Sequence, residues 1–407
     1  MKANSKKAAY RPFEEVASQV EVGHPVPFAV YGQDGQKLIA QGTVVPSEKL
    51  RQRLLTSGVY AEHVDTSKEG APLDDGEQQP SEFIESDEEL KGYFQTVPRA
   101  DRRFRNPIAD LGRAKISIER ALMRFEEDPG SSVASVKRMA YFLDDLMSMD
   151  MDAVIGSIQL ERVEPLSYPL HHAMRCSLFT GLIARLLERS RSERVNLVSA
   201  ACTANLTIFE LQQRLEQYAG TLDEQTRAQI QEHPRVTAHY LEQAGVTSDD
   251  WLEAVRSHHE RLDGSGYPQG RQAHEIPFSA RVLAIAESVA AATTPRGFRE
   301  HSTIAQVLRE LSRRGHAYDE QLIQQILTKA GPLWPGTLVS LKDGRVALIT
   351  RRTRSPRIYQ AALLYDERGR RTWHPQRLEL QFSDIRSVHA LTETSNYYSA
   401  AILWDVD

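Results

Sequence analysis

"SHHERLDGSGYPQG", residues 257–270, decides how the middle of this chain is read. Two adjacent histidines, His258 and His259, and then Glu260 are residue types that hold divalent ions. They run directly into Asp263-Gly264-Ser265-Gly266-Tyr267-Pro268. Gly264 and Gly266 permit backbone conformations closed to other residues, and Pro268 fixes the chain after the turn. A bend imposed that strongly implies that something is positioned beside it.

Further histidines lie outward from this stretch. His171 and His172 open the segment HHAMRCSLFTGLIARLLERS, whose pattern reads as an amphipathic helix. His233 precedes Pro234, which reads as the first turn of a helix. The chain has 13 histidines, and several of them fall in this one helical region. A single such histidine is more often a capping, surface or core residue than a ligand, so the argument rests on the group.

The remaining composition bounds the answer. At 407 residues with 41% hydrophobic and 26% charged content, the chain suits two or three globular domains. A net charge of −5 and no long basic block argue against a DNA-binding protein. No apolar run suggests membrane insertion, the basic N-terminus lacks a signal-peptide core, and two cysteines make no disulfide framework. A cytoplasmic location is expected. Cys202 reads as a buried core residue rather than a nucleophile.

The expected fold class is multidomain and mainly α. Residues 1–66 read as a small α/β unit, with a hairpin at Asp34-Gly35 and a helix between Ser47 and Gly58. Residues 67–106 read as an acidic flexible linker. Residues 107–155 read as a helical connector: Leu111, Ala114, Ile118, Leu122 and Phe125 follow the 3.6-residue period, as do Val133, Val136, Ala140, Leu143 and Met147. Asp128-Pro129-Gly130 divides the two helices. Residues 156–330 continue as an all-helical domain. Residues 331–407 carry strand runs joined by Asp-Gly and Arg-Gly turns, which predict a small β-rich domain.

With HHERLDGSGYP, HAMR near the domain start, EHP, and IPFSARVLAIAESVAA after the turn, residues 165–328 resemble the HD-GYP family of HD-domain phosphohydrolases. The resemblance implies an all-helical core and hydrolysis of cyclic di-GMP by two metal ions that share a carboxylate and activate water. It implies metal ligands at His172, His233, His258, His259 and Glu287, the last standing where the family has Asp. It places phosphate-binding cations at Arg296 and Arg299. Asp263, Gly264, Gly266, Tyr267 and Pro268 match the family's turn. A diguanylate cyclase or other signalling protein is the partner the resemblance suggests, and a homodimer is a further expectation.

The signature His-Asp pair departs from this pattern. Residues 201–208 read ACTANLTI, so Ala204 and Asn205 occupy the pair, and Thr207 and Ile208 replace a Gly and a Lys. Ala204 offers no ligand atom, and neutral Asn205 bridges two dications poorly. Ala290 stands near a second family aspartate. Two-metal catalysis in the family's manner is therefore not expected. His233, His258 and His259 remain able to hold one Fe, Mn or Zn ion, the alternative being no metal and a hydrogen-bonded core. Three functions follow. The first is a degenerate HD-GYP protein that binds a nucleotide or partner with little or no hydrolysis. The second is an active phosphodiesterase with an altered site. The third is a nucleotide-binding adaptor acting through its flanking domains. Residues 351–357, RRTRSPR, bear on the third: they are dense enough in arginine to hold phosphates, or they form a solvated loop.

Overall fold

The computed structural model describes residues 9–12, 19–21, 24, 26–28, 30–31, 37–39, 60–63, 107–160, 167–216, 218, 220–294, 302–355, 357–372, 375–390 and 400–404. The chain divides into two units, residues 1–84 and 85–407.

In the first unit four short strands, β1 (Ala9–Pro12), β2 (Val30–Tyr31), β3 (Lys37–Ile39) and β4 (Tyr60–His63), pair antiparallel in the order β1-β4-β2-β3. Val26 and Val30 are buried on it. The Asp34-Gly35 turn, the helix expected between Ser47 and Gly58, and the acidic stretch of 67–106 lie outside the described residues.

The second unit begins with α1 (Pro107–Met123) and α2 (Pro129–Leu160). Their periodic residues Leu111, Ala114, Ile118, Val136, Leu143 and Met147 are buried in the same core as the helices that follow. α2 runs on past residue 155, broken only by non-helical geometry at Asp150. There the Asp150 carboxylate accepts the Ala153 N–H at 3.0 Å and so caps the restarted helix.

Next come α3 (Tyr168–Leu186), α4 (Arg191–Thr203), α5 (Phe209–Leu215), α6 (Glu224–Gln243), α7 (Asp249–Ser257), α8 (Phe278–Thr293), α9 (Ile304–Arg313) and α10 (Glu320–Ala330). α3 is the central element. It was expected to be amphipathic, but it is buried on every side from Tyr168 to Ala184. α4, α8, α2 and α1 all pack against it. Its polar residues are therefore satisfied inside the protein or go without a partner. The Arg175 guanidinium donates to Ile158 O at 2.6 Å and to Thr293 O and Oγ1 at 3.0 and 2.8 Å, joining the last turns of α2 and α8.

Five strands close the unit: β5 (Leu338–Leu341), β6 (Val346–Arg352), β7 (Ile358–Tyr365), β8 (Arg377–Gln381) and β9 (Ile385–His389), antiparallel in the order β8-β7-β6-β5-β9. The expected Asp343-Gly344 and Arg368-Gly369 turns carry glycines at φ 92° and 71°. A short α11 (Ala400–Trp404) lies between sheet and helix. Its Trp404 indole donates to Thr350 O at 2.7 Å and sits against Gly156 of α2, where any side chain would overlap the ring. Among the described residues no helix is long and apolar enough to cross a membrane.

Candidate metal centre

Four helices bring the site together. α3 contributes His172, α6 His233, the end of α7 His258 and His259, and α8 Glu287. Among the described residues one trio of ligand-type side chains converges: His233, His258 and His259, whose available ligand atoms all lie within 4.8 Å of one another.

The local sequence explains how two of these rings are aimed. His233 and Pro234 were expected at a helix start but lie in the middle of α6. Pro234 has no N–H to give the carbonyl four residues back, Ile230. His233 Nδ1 takes that vacancy and donates to Ile230 O at 2.6 Å. His258 does the same at the end of α7, where carbonyls go unpaired, donating from Nδ1 to Val255 O at 2.7 Å. With both Nδ1 atoms protonated, both Nε2 atoms carry lone pairs, and they face each other at 3.3 Å. Two acceptors gain nothing from that approach alone. The separation is close to that of two nitrogens at about 2.0–2.1 Å from one tetrahedral ion.

Burial acts on the same rings. It pushes His233 down to about 4, and it lowers His258 and His259 as well. All three are therefore neutral near pH 7, the form that ligates metal. Burial works against ionisation of Glu287, but the adjacent imidazoles of His259, His258 and His172 outweigh it, so its carboxyl stays well below the usual range. Glu287 Oε2 lies 3.6 Å from His259 Nδ1 and 3.8 Å from His258 Nε2, and Oε1 lies 3.6 Å from His172 Nε2.

The turn after the histidines is a fixed wall. Buried Glu260 accepts the Gln269 and Arg271 N–H groups at 2.7 and 2.9 Å. Gly264 has φ 78°. Gly266 is required for another reason: a Cβ there would lie 2.4–2.5 Å from Arg261 N, Glu260 Cα and His259 O. Tyr267 stacks on His259 with centroids 4.6 Å apart. Asp263 faces outward and accepts from Ser265.

The replaced segment closes the other side. Ala204 and Ile208 are buried, and Thr207 Oγ1 meets Thr237 Oγ1 of α6 at 2.6 Å. Asn205 Nδ2 donates to Glu287 Oε1 at 3.2 Å, a contact between residues 82 positions apart that has no local signal. Tyr168, Gln212 and Arg261 also went unmarked. They join His172, Asn205 and Tyr267 around a cavity of about 260 Å³. Arg296 and Arg299 lie outside the described residues. Cys202 is buried, and burial pushes its thiol up to about 12, which suits a core residue.

These donors fit one ion and not two. The trio supplies three neutral nitrogens. A second ion would find His172, one oxygen of Glu287 and a neutral amide. Two dications about 4 Å apart repel by about 16 kcal/mol at an effective dielectric constant of 20, and a single carboxylate is little to offset that.

The arginine run at 351–357 has a structural use. Arg351 pairs with Asp150 at 2.7 Å, and Arg352 pairs with Asp152 at 2.5 Å, tying β6 to the break in α2.

The helical domain thus gathers histidines from several helices about one carboxylate. Residues 166–322 match the family model described as HD domain. The chain is 29% identical over 177 residues to "3'3'-cGAMP-specific phosphodiesterase 3" of Vibrio cholerae, covering 43% of this chain and 38% of that protein. It is 31% identical over 156 residues to "Cyclic di-GMP phosphodiesterase response regulator RpfG" of Xanthomonas campestris, covering 38% and 41%. A solved structure, Bd1817, described as a HDG"Y"P protein from Bdellovibrio bacteriovorus, aligns at 14% identity with a TM-score of 0.49 over 79% of this chain and 98% of that one. The chain spans about two fifths of the length of the curated relatives it matches. Residues 166–322 are thus similar to HD domains, and the intact HHERLDGSGYP segment within them carries the likeness to the HD-GYP family.

Proposed function

We propose that this chain serves cyclic-dinucleotide signalling as a binding protein, taking cyclic di-GMP or a signalling partner with little or no hydrolysis, and holding one divalent ion or none. The observation that carries this reading is the pairing of Ala204 and Asn205 with an otherwise assembled site. The trio His233, His258 and His259 converges, yet no ligand stands at 204, and Asn205 spends its N–H on Glu287. A resident ion on the trio would polarise a bound phosphate oxygen or water, and His172, with its Nε2 turned to Glu287, would lie outside its ligand set.

A second reading has support in the same trio. Three neutral imidazoles around one ion are the ligand set of some mononuclear hydrolases, so an active phosphodiesterase with an altered site is the alternative. One experiment separates the two. The purified protein is titrated with cyclic di-GMP, and linear product is followed with Mn, Fe or Ni present. Binding without product supports the first reading. Metal-dependent product that is lost in His258→Ala and His259→Ala overturns it in favour of the second, and the absence of nucleotide binding, of product and of any partner in pull-down overturns both.

A further inference from the structure

The Glu287 carboxylate has two differently employed oxygens. Oε2 faces His258 and His259, while Oε1 faces His172 and accepts from Asn205 Nδ2 at 3.2 Å. In a two-ion centre a ligand carboxylate placed here would meet a cation on that second side. Here the side is filled by an amide donor. The orientation of the amide is dictated by its neighbour, since turning it over would set its oxygen against a carboxylate oxygen. The segment that carries Asn205 is held in place from two directions. Thr207 meets Thr237 on α6, and the Trp251 indole of α7 donates to Thr203 Oγ1 at 2.9 Å. The Asn205 Oδ1 atom is buried and has no partner among the described residues, so the amide is placed for its N–H.

We propose that Asn205 stands in for the second cation: its N–H orients Glu287 toward the histidine trio and makes the site complete with one ion or none. Asn205 is a positioning residue, and the ACTANLTI segment is a working substitution rather than a decayed motif. This deepens the reading above, on which it rests for the count of ions.

The test uses the full chain without nucleotide. Asn205→Asp exchanges the donor for a second carboxylate about a hydrogen bond's length from Glu287. Asn205→Ala removes the donor and adds no charge. Thermal unfolding is measured for the three proteins in EDTA and again in MnCl2. The expected result is a drop of about 3 °C or more for the aspartate variant in EDTA, larger than that for the alanine variant. Mn should restore the aspartate variant by more than it raises the other two. Equal behaviour of the aspartate and alanine variants in both conditions overturns the proposal. Should the aspartate variant fail to fold in either condition, the metal content of the unaltered protein at saturating Mn decides: one ion or none supports the proposal and two overturn it. A protein that binds no nucleotide would sink the ligand reading and leave this result standing.

Discussion

Ile230 aims His233. Its carbonyl, left without a backbone donor by Pro234, accepts from His233 Nδ1 at 2.6 Å and turns Nε2 toward His258 Nε2, 3.3 Å away. A proline inside a helix costs about 3 kcal/mol, and the sequence tolerates it at the one position where it frees this acceptor. Pro234→Ala is therefore expected to pull stability and metal affinity apart. Denaturant unfolding in EDTA should show a gain of about 1–3 kcal/mol, because a hydrogen bond and helical geometry return. Zn or Mn affinity should fall by about 10–100-fold, the usual effect of loosening the group that orients a ligating histidine. A variant that gains stability and keeps its metal affinity would show that Ile230 does not orient the ring.

The glycines of the turn have different reasons, so their substitutions should differ in cost. At Gly264 the strain is conformational, from φ 78°, and alanine should cost about 1–2 kcal/mol. At Gly266 a Cβ meets backbone atoms of residues 259–261 at 2.4–2.5 Å, and backbone cannot swing aside. Gly266→Ala should cost about 3 kcal/mol or more and displace His259, whose carbonyl is one of those atoms. Chemical denaturation ranks the two variants, and the reverse order would contradict the packing described.

What the sequence could disclose followed the range of the interactions involved. Leu111, Ile118 and Leu143 were legible because a helix repeats its buried face every 3.6 residues, and β5 to β8 because Asp-Gly and Arg-Gly turns punctuate alternating strands. The strand Ile385–His389 carries too little apolar alternation to stand out, and only its pairing with β5 defines it. α3 misled for a related reason. His171, Arg175, Ser177 and Thr180 lend the segment the polar residues of an amphipathic helix, but neighbours far along the chain bury all four. The histidines could be gathered only through their likeness to a known pattern, since His172 and Glu287 lie more than a hundred residues apart. The bond from Asn205 to Glu287 had no local signal at all, because substitution at 205 read simply as loss.

His171 gives a pH dependence whose sign is fixed by burial. The ring is fully buried, and neither nitrogen has a partner among the described residues. Burial, with the nearby charges of Arg175 and Lys115, pushes it down from 6.5 to about 3. The unfolded chain takes up this proton as pH falls below 6.5 and the folded chain does not. The stability associated with the neutral ring is therefore present above 6.5 and is lost progressively toward 3. His171→Leu, which keeps the volume and removes the titrating group, should flatten the acid limb of a urea-stability profile by about one proton between pH 6.5 and 5. At pH 7.5 it should be neutral or stabilising, since it removes an unsatisfied buried polar group. An unchanged slope would mean that His171 is protonated in the folded protein.

Arg352 and Asp152 decide what the arginine-rich run is for. The Asp152 carboxylate accepts the Arg352 backbone N–H at 2.7 Å and its Nε at 2.8 Å, and it pairs with Nη2 at 2.5 Å, with both side chains mostly buried. Together with Arg351 and Asp150 this clamps β6 onto the restart of α2. Such a charge-assisted pair contributes to stability, and a guanidinium so engaged would have to leave its carboxylate to meet a phosphate. Arg352→Ala and Asp152→Ala should each lower stability by about 1–2 kcal/mol, with a double-mutant coupling of about 1 kcal/mol or more. Cyclic di-GMP affinity should stay within twofold of the unaltered protein in both. The adaptor reading expects the opposite pattern, in which Arg352→Ala abolishes nucleotide binding and Asp152→Ala, by freeing the guanidinium, strengthens it. Calorimetric titration of the two variants, read beside their unfolding curves, tells these outcomes apart.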